Sequence, residues 1–115
     1  MLLDSEDFLD RLNSSIAAAT GRLVIASAYI KLDAFKMIVE NLKANLSVTV
    51  VSRWELKDLV VGVSDLEVYE LCRENGWEFG INTKLHGKLF LIDDKELLLG
   101  SANITKSGLN LKSNA

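Results

Sequence analysis

The residues able to do chemistry cluster in the last third of the chain: His86, Lys88 and Asp93, followed by Gly100, Ser101 and Asn103. His86 is the sole histidine of the protein. On an extended strand, residues two apart point to the same face, so His86 and Lys88 are expected side by side. A nucleophilic imidazole beside a fixed positive charge suits attack on a phosphate ester.

The flanking pattern predicts how these groups meet. Residues 85–92 form an apolar run, Asp93-Asp94-Lys95-Glu96 is polar, and Leu97-Leu98-Leu99 is apolar again. This reads as a hairpin with Asp94 and Lys95 as its two-residue loop. That loop pairs Asp93 with Glu96, Ile92 with Leu97 and Phe90 with Leu99. Continued outward, Lys88 falls opposite Ser101 and His86 opposite Asn103, with side chains roughly 5 Å apart. The turn lacks Asn-Gly, and a longer loop would shift this register.

The set resembles the phospholipase D superfamily, whose signature is His-x-Lys-x4-Asp followed by Gly-Ser-x-Asn. His86, Lys88, Asp93, Gly100, Ser101 and Asn103 match it in type, spacing and order. The residues from Ile104 to Leu109, and Ser52-Arg53-Trp54-Glu55 upstream, look like stretches of members that act on nucleic acid. A lone histidine beside an apolar strand would otherwise read as a structural residue, and Ser101 and Asn103 as turn residues. The complete motif makes His86, Lys88 and Asn103 the catalytic candidates, and Lys88, Ser101 and Asn103 the phosphate ligands. An ammonium in an apolar strand is costly to bury, so an anionic ligand is a natural explanation for Lys88. Asp93, at the far end of its strand, lies roughly 20 Å from His86 and cannot orient that imidazole. Asp93 and Gly100 are therefore structural candidates.

The resemblance implies a two-step phosphodiester hydrolysis without cofactor or metal. One histidine attacks phosphorus to give a phosphohistidine, and a second protonates the leaving oxygen and then activates water. This chain has one such motif, which implies a homodimer with two motifs meeting at a two-fold axis. Family members often carry an asparagine followed two residues later by a glutamate. Asn114 fits the first, and the acid would be residue 116, so residues 1–115 read as one phospholipase D-like domain truncated at its C-terminal end. Lys84, Lys88, Lys106 and Lys112 favour a polyanion, hence DNA or RNA, as substrate. The alternatives are a non-catalytic dimerisation or nucleic-acid-binding module with a vestigial site, and a phospholipid phosphodiesterase.

Composition bounds these readings. At 115 residues the chain is at most one domain, and 49% hydrophobic residues supply a core. A net charge of −3 excludes a globally basic nucleic-acid binder but not a local basic patch. Cys72 has no disulfide partner and no spacing that suits a metal, so it reads as a structural thiol. No apolar run approaches the roughly 20 residues of a membrane span, and the acidic N-terminus lacks the basic start of a signal peptide. The expectation is a cytoplasmic protein without stable membrane association.

The elements that must position the motif follow from periodicity. Residues 4–19 repeat apolar side chains at helical spacing (Phe8, Leu12, Ile16, Ala19), with Asp4 or Ser5 as cap and Gly21 as stop. Residues 23–29 read as a central strand buried on both faces. A helix from Asp33 leads to a strand over residues 46–51, a βαβ unit with parallel strands. Ser52 to Glu55 and Ser64 to Glu67 have capping-box spacing, the second opening a helix from Asp65 to Asn75. A short strand at 77–81 and the hairpin complete an α/β fold: a mixed sheet of about five strands flanked by helices. Arg53 and Trp54 follow a strand end, where such sheets bind ligands, although Trp54 is as well explained by packing.

Overall fold

The computed structural model describes residues 5–54, 57, 60 and 65–100. In chain order the elements are α1 (Ser5–Ala18), β1 (Arg22–Ser27), α2 (Leu32–Val39), β2 (Ser47–Ser52), α3 (Glu67–Glu74), β3 (Glu78–Ile81), β4 (Lys88–Ile92) and β5 (Glu96–Gly100). The strands form one mixed sheet in the order β3-β2-β1-β4-β5. β1 and β2 pair in parallel from Arg22↔Ser47 to Ser27↔Ser52, the arrangement expected of a βαβ unit. β4 runs antiparallel to β1 and places Lys88 across from Ser27. No helix among the described residues is long and apolar enough to cross a membrane.

Burial alternates along the central strands with the two-residue period of the pleat. Leu23, Ile25, Val48, Val50, Phe90, Ile92 and Leu98 join Phe8, Leu12 and Ile16 of α1, Phe35 and Ile38 of α2, and Val68 and Cys72 of α3 in one core. Truncating a fully buried member such as Leu12 or Ile16 to alanine would cost about 2–5 kcal/mol. The expectation that β1 is buried on both faces holds for one face only. Val24 and Ala26, on the other, are half-buried among the described residues.

The hairpin register differs from expectation by one residue. Ile92 pairs with Glu96, Phe90 with Leu98 and Lys88 with Gly100. The loop is therefore Asp93-Asp94-Lys95, with Asp93 and Asp94 at φ 55° and 56° and the Lys95 N–H donating to the Ile92 carbonyl at 3.1 Å. The cause lies outside the hairpin. The Asp93 N–H donates to the Arg22 carbonyl at 2.7 Å. Its carboxylate accepts from the N–H groups of Thr20, Gly21 and Arg22 at 3.2, 2.8 and 3.0 Å. Asp93 is thus held by the start of β1 and cannot pair with β5. A slip of one residue exchanges the faces: Leu98 is buried, whereas Leu97 and Leu99 are exposed.

Two helix starts also depart from local capping signals. α2 begins at Leu32, and no side chain at its N-cap, Lys31, makes the capping bond. Instead the Asp65 carboxylate accepts from the Leu32 N–H at 2.7 Å and from Lys31 Nζ at 2.8 Å. With Asp65 so engaged, α3 begins at Glu67 rather than at Asp65. Gly76, at φ 72°, ends α3 in the left-handed region that glycine adopts without strain. The expected caps Asp4 and Ser64 lie outside the described residues.

Candidate active site

Across one end of the sheet, on the helix-covered face, run Ser52 of β2, Ser27 of β1, Lys88 of β4 and Gly100 of β5. Ser27, Ser52 and Lys88 are the buried polar side chains among the described residues. The Ser27 hydroxyl donates to the Tyr29 carbonyl at 2.9 Å, and that of Ser52 to the Ala28 carbonyl at 3.3 Å. These bonds satisfy hydroxyls that would be costly to bury bare.

Lys88 is held from two sides. It lies across Gly100, where a Cβ would stand 2.5 Å from its Cε and 3.3 Å from its Cγ. Its Nζ lies 4.4 Å from the centroid of the Phe8 ring, within cation–π range. Phe8 is itself fixed against Phe90, with ring centroids 5.9 Å apart. Burial pushes the Lys88 ammonium down to about 8.

His86 is exposed and lies two residues ahead of β4. The expectation of one extended strand through His86 and Lys88 requires correction, because Gly87 adopts φ 73° and the regular alternation starts only at Lys88. The Gly87 carbonyl still accepts from the Ala28 N–H at 3.1 Å, which anchors this approach to β1. His86 and Lys88 nonetheless line one depression of about 540 Å³, with Leu85, Leu89, Leu99 and Gly100 around them. A larger hollow of about 630 Å³, lined by Lys36, Lys43 and Trp77 among others, includes no motif residue.

Asp93 stands at the opposite end of β4 from Lys88, where its carboxylate accepts from the backbone N–H groups described above. The N–H groups of Arg22, Gly21 and Thr20 hold its carboxyl below the usual range. Ser101, Asn103, Lys106, Lys112 and Asn114 lie outside the described residues, so their expected places opposite Lys88 and His86 do too. Among the described residues, Gly100 stands opposite Lys88. Lys84 is exposed shortly before His86.

At the end of β2, Trp54 packs against Phe79 and Tyr69, with centroids 5.0 and 5.9 Å away, so a packing role accounts for it. The Arg53 guanidinium lies 4.4 Å over the Tyr29 ring and donates to the Tyr29 hydroxyl. Glu55 lies outside the described residues. Cys72 is fully buried, and burial pushes its thiol up to about 11. Sequence reasoning treated Phe8 only as a core residue and missed its contact with Lys88. No local signal marks it, because 80 residues separate the two in the chain.

A sequence profile of the family described as "Cardiolipin synthase, PLD-like domain" matches residues 12–115. Among solved structures, NucT from Helicobacter pylori superposes with a TM-score of 0.63 at 20% identity, over 92% of this chain and 72% of that one. TrmBL2, an archaeal chromatin protein described as showing a novel mode of DNA binding, superposes with a TM-score of 0.61 at 9% identity, over 85% of this chain and 38% of that one. At these identities the two likenesses concern the fold. None of the curated proteins matches the chain in sequence.

Proposed function

The chain belongs to the phospholipase D superfamily, and from that premise we propose that it is a metal-independent phosphodiesterase of DNA or RNA, working as a cytoplasmic homodimer. The observation that carries this reading is the shared depression. His86, exposed, and Lys88, buried, both border it, two residues apart at one end of the sheet. An accessible nucleophile can reach phosphorus, while a desolvated cation stabilises the charge that builds on the non-bridging oxygens.

In the first step a His86 ring nitrogen bonds to phosphorus as the bond to the leaving oxygen breaks. The His86 of the second copy gives that oxygen its proton. In the second step this imidazole takes a proton from water. The water oxygen then bonds to phosphorus, the phosphorus–nitrogen bond breaks, and a phosphomonoester leaves. Lys88, Ser101 and Asn103 hold the non-bridging oxygens in both steps. Asp93 acts at a distance by fixing the hairpin to β1.

A nucleic-acid substrate is supported by the lysines around the motif and by the DNA binding stated for TrmBL2, a protein of like fold. The apolar flank of Leu85, Leu89 and Leu99, with the family's printed description, makes a phospholipid phosphodiester the second reading.

The test is hydrolysis of bis(p-nitrophenyl) phosphate, of single- and double-stranded nucleic acid, and of anionic phospholipid vesicles, all in excess chelator. The wild-type protein is expected to cleave nucleic acid, and His86→Ala to lose nearly all activity with its circular dichroism unchanged. Activity that survives in His86→Ala, or that needs magnesium, refutes the mechanism. Cleavage of vesicles alone moves the substrate to lipid. Binding without cleavage of any substrate leaves a binding module in its place.

A further inference from the structure

Resting on the phosphodiesterase reading, we propose that Phe8 is a positioning residue for Lys88: the face of its ring is the seat on which the ammonium rests, and it sets where that charge meets a phosphate oxygen. Three observations converge. The Nζ lies over the ring at 4.4 Å, within the range where the negative face of an aromatic attracts a cation. The ring is only 4% exposed and tilted against Phe90, so it cannot turn away. On the other side, Gly100 leaves room for the Lys88 methylenes that no larger residue would leave. The side chain is thereby threaded between α1 and β5, with its head over Phe8.

The ring does what a carboxylate in its place could not. A carboxylate would neutralise the ammonium and compete with an incoming phosphate. A ring stabilises the charge without offering it an anion. This matters because burial works against the charged form. Several titratable described groups stand on the surrounding elements. Arg11 of α1 is paired with Glu96 of β5. Tyr29, just past β1, is engaged by Arg53. His86 lines the same depression and carries no negative charge. Arg22, Asp93, Asp94 and Lys95 lie at the other end of β1 and β4.

The role is separable from packing, because fluorine withdraws charge from the ring face while hardly changing ring size. Position 8 is replaced in turn by phenylalanine, 4-fluoro-, 3,5-difluoro- and 3,4,5-trifluorophenylalanine. The Lys88 titration is followed by the NMR signal of carbon-13-labelled lysine side chains, assigned with Lys88→Arg. A ring that seats the cation makes the Lys88 titration midpoint fall stepwise, by about 0.5–1 pH unit across the series, with thermal stability nearly level. The basic limb of the pH–rate profile for phosphodiester hydrolysis should move down by the same amount. Phe8→Leu should lower the midpoint as well.

A midpoint that stays fixed across the fluorinated series overturns the inference. So does one that rises in Phe8→Leu, because Phe8 would then be no more than a wall that keeps water out. The NMR titration needs no turnover. If it responds to fluorination while no substrate is cleaved, the seat stands and the phosphodiesterase reading falls. If His86-dependent hydrolysis is found with an unresponsive titration, the seat falls alone.

Discussion

Lys88 and Gly100 face each other across β4 and β5, and the lysine occupies the volume in which a side chain at Gly100 would stand, 2.5 Å from its Cε. The glycine of the motif is thus explained by space rather than by backbone conformation. Gly100→Ala should displace the lysine head while leaving the sheet paired. We expect phosphodiester hydrolysis to fall about tenfold or more, against a loss of about 1–2 kcal/mol in urea unfolding. Unchanged activity in Gly100→Ala would show that the lysine reaches phosphate by another route.

Activity and stability should move in opposite directions at alkaline pH. Burial lowers Lys88 to about 8, whereas an unfolded chain keeps an ordinary lysine near 10.5. Between these values the unfolded chain binds a proton that the folded protein has released, so stability gains with rising pH across that window. In the proposed mechanism the charged form holds phosphate, so hydrolysis should decline through about pH 8. Lys88→Met should be more stable than wild type near neutral pH and lose that advantage as the pH approaches 10.5. A rate that stays level far above pH 8 contradicts this assignment.

Asp93→Asn should loosen the hairpin from β1. The wild-type carboxyl is held below its ordinary range by three N–H donors, so its contribution is present above the unfolded value of about 3.9 and is lost as pH falls through the lower folded value. The variant should be less stable than wild type at neutral pH, and the two should converge in strong acid. Urea midpoints over that pH range measure it. A difference independent of pH would assign the effect to shape instead of charge.

A dimer that needs one His86 from each copy makes a quantitative forecast. After subunit exchange with an equal amount of His86→Ala protein, only wild-type pairs cleave, so activity should fall to about a quarter of that of the same total of wild-type protein, not to about half. Linear dilution, or a fully active monomer in sedimentation, excludes the shared site.

Removing the remote cap of α2 should cost stability without touching the motif. Asp65 loses some ease of ionisation to partial burial, but the Leu32 N–H and Lys31 more than offset this and hold its carboxyl below the usual range. Asp65→Ala should cost about 1–2 kcal/mol in urea unfolding. Loss of hydrolysis in a folded Asp65→Ala protein would tie this cap to the site as well.

The sequence alone determined the parts of this protein that are written locally. Its apolar periods fix the α/β class, the parallel β1–β2 pair and the helices that flank it, because a period of two or of 3.6 residues admits one kind of element. The motif residues and their spacing point to the family in the same way. What only the tertiary structure decided depends on residues distant in the chain that compete for one another. The start of β1 captures Asp93 and slips the hairpin by one residue, which sets Lys88 against Gly100. Asp65 caps a helix 33 residues away and shortens its own. Phe8 reaches Lys88 from the first helix. A turn rule or a capping rule ranks the partners near in sequence. The folded chain ranks all those within hydrogen-bond or contact distance, and here the distant ones satisfy more backbone donors and bury more of the cation's surroundings.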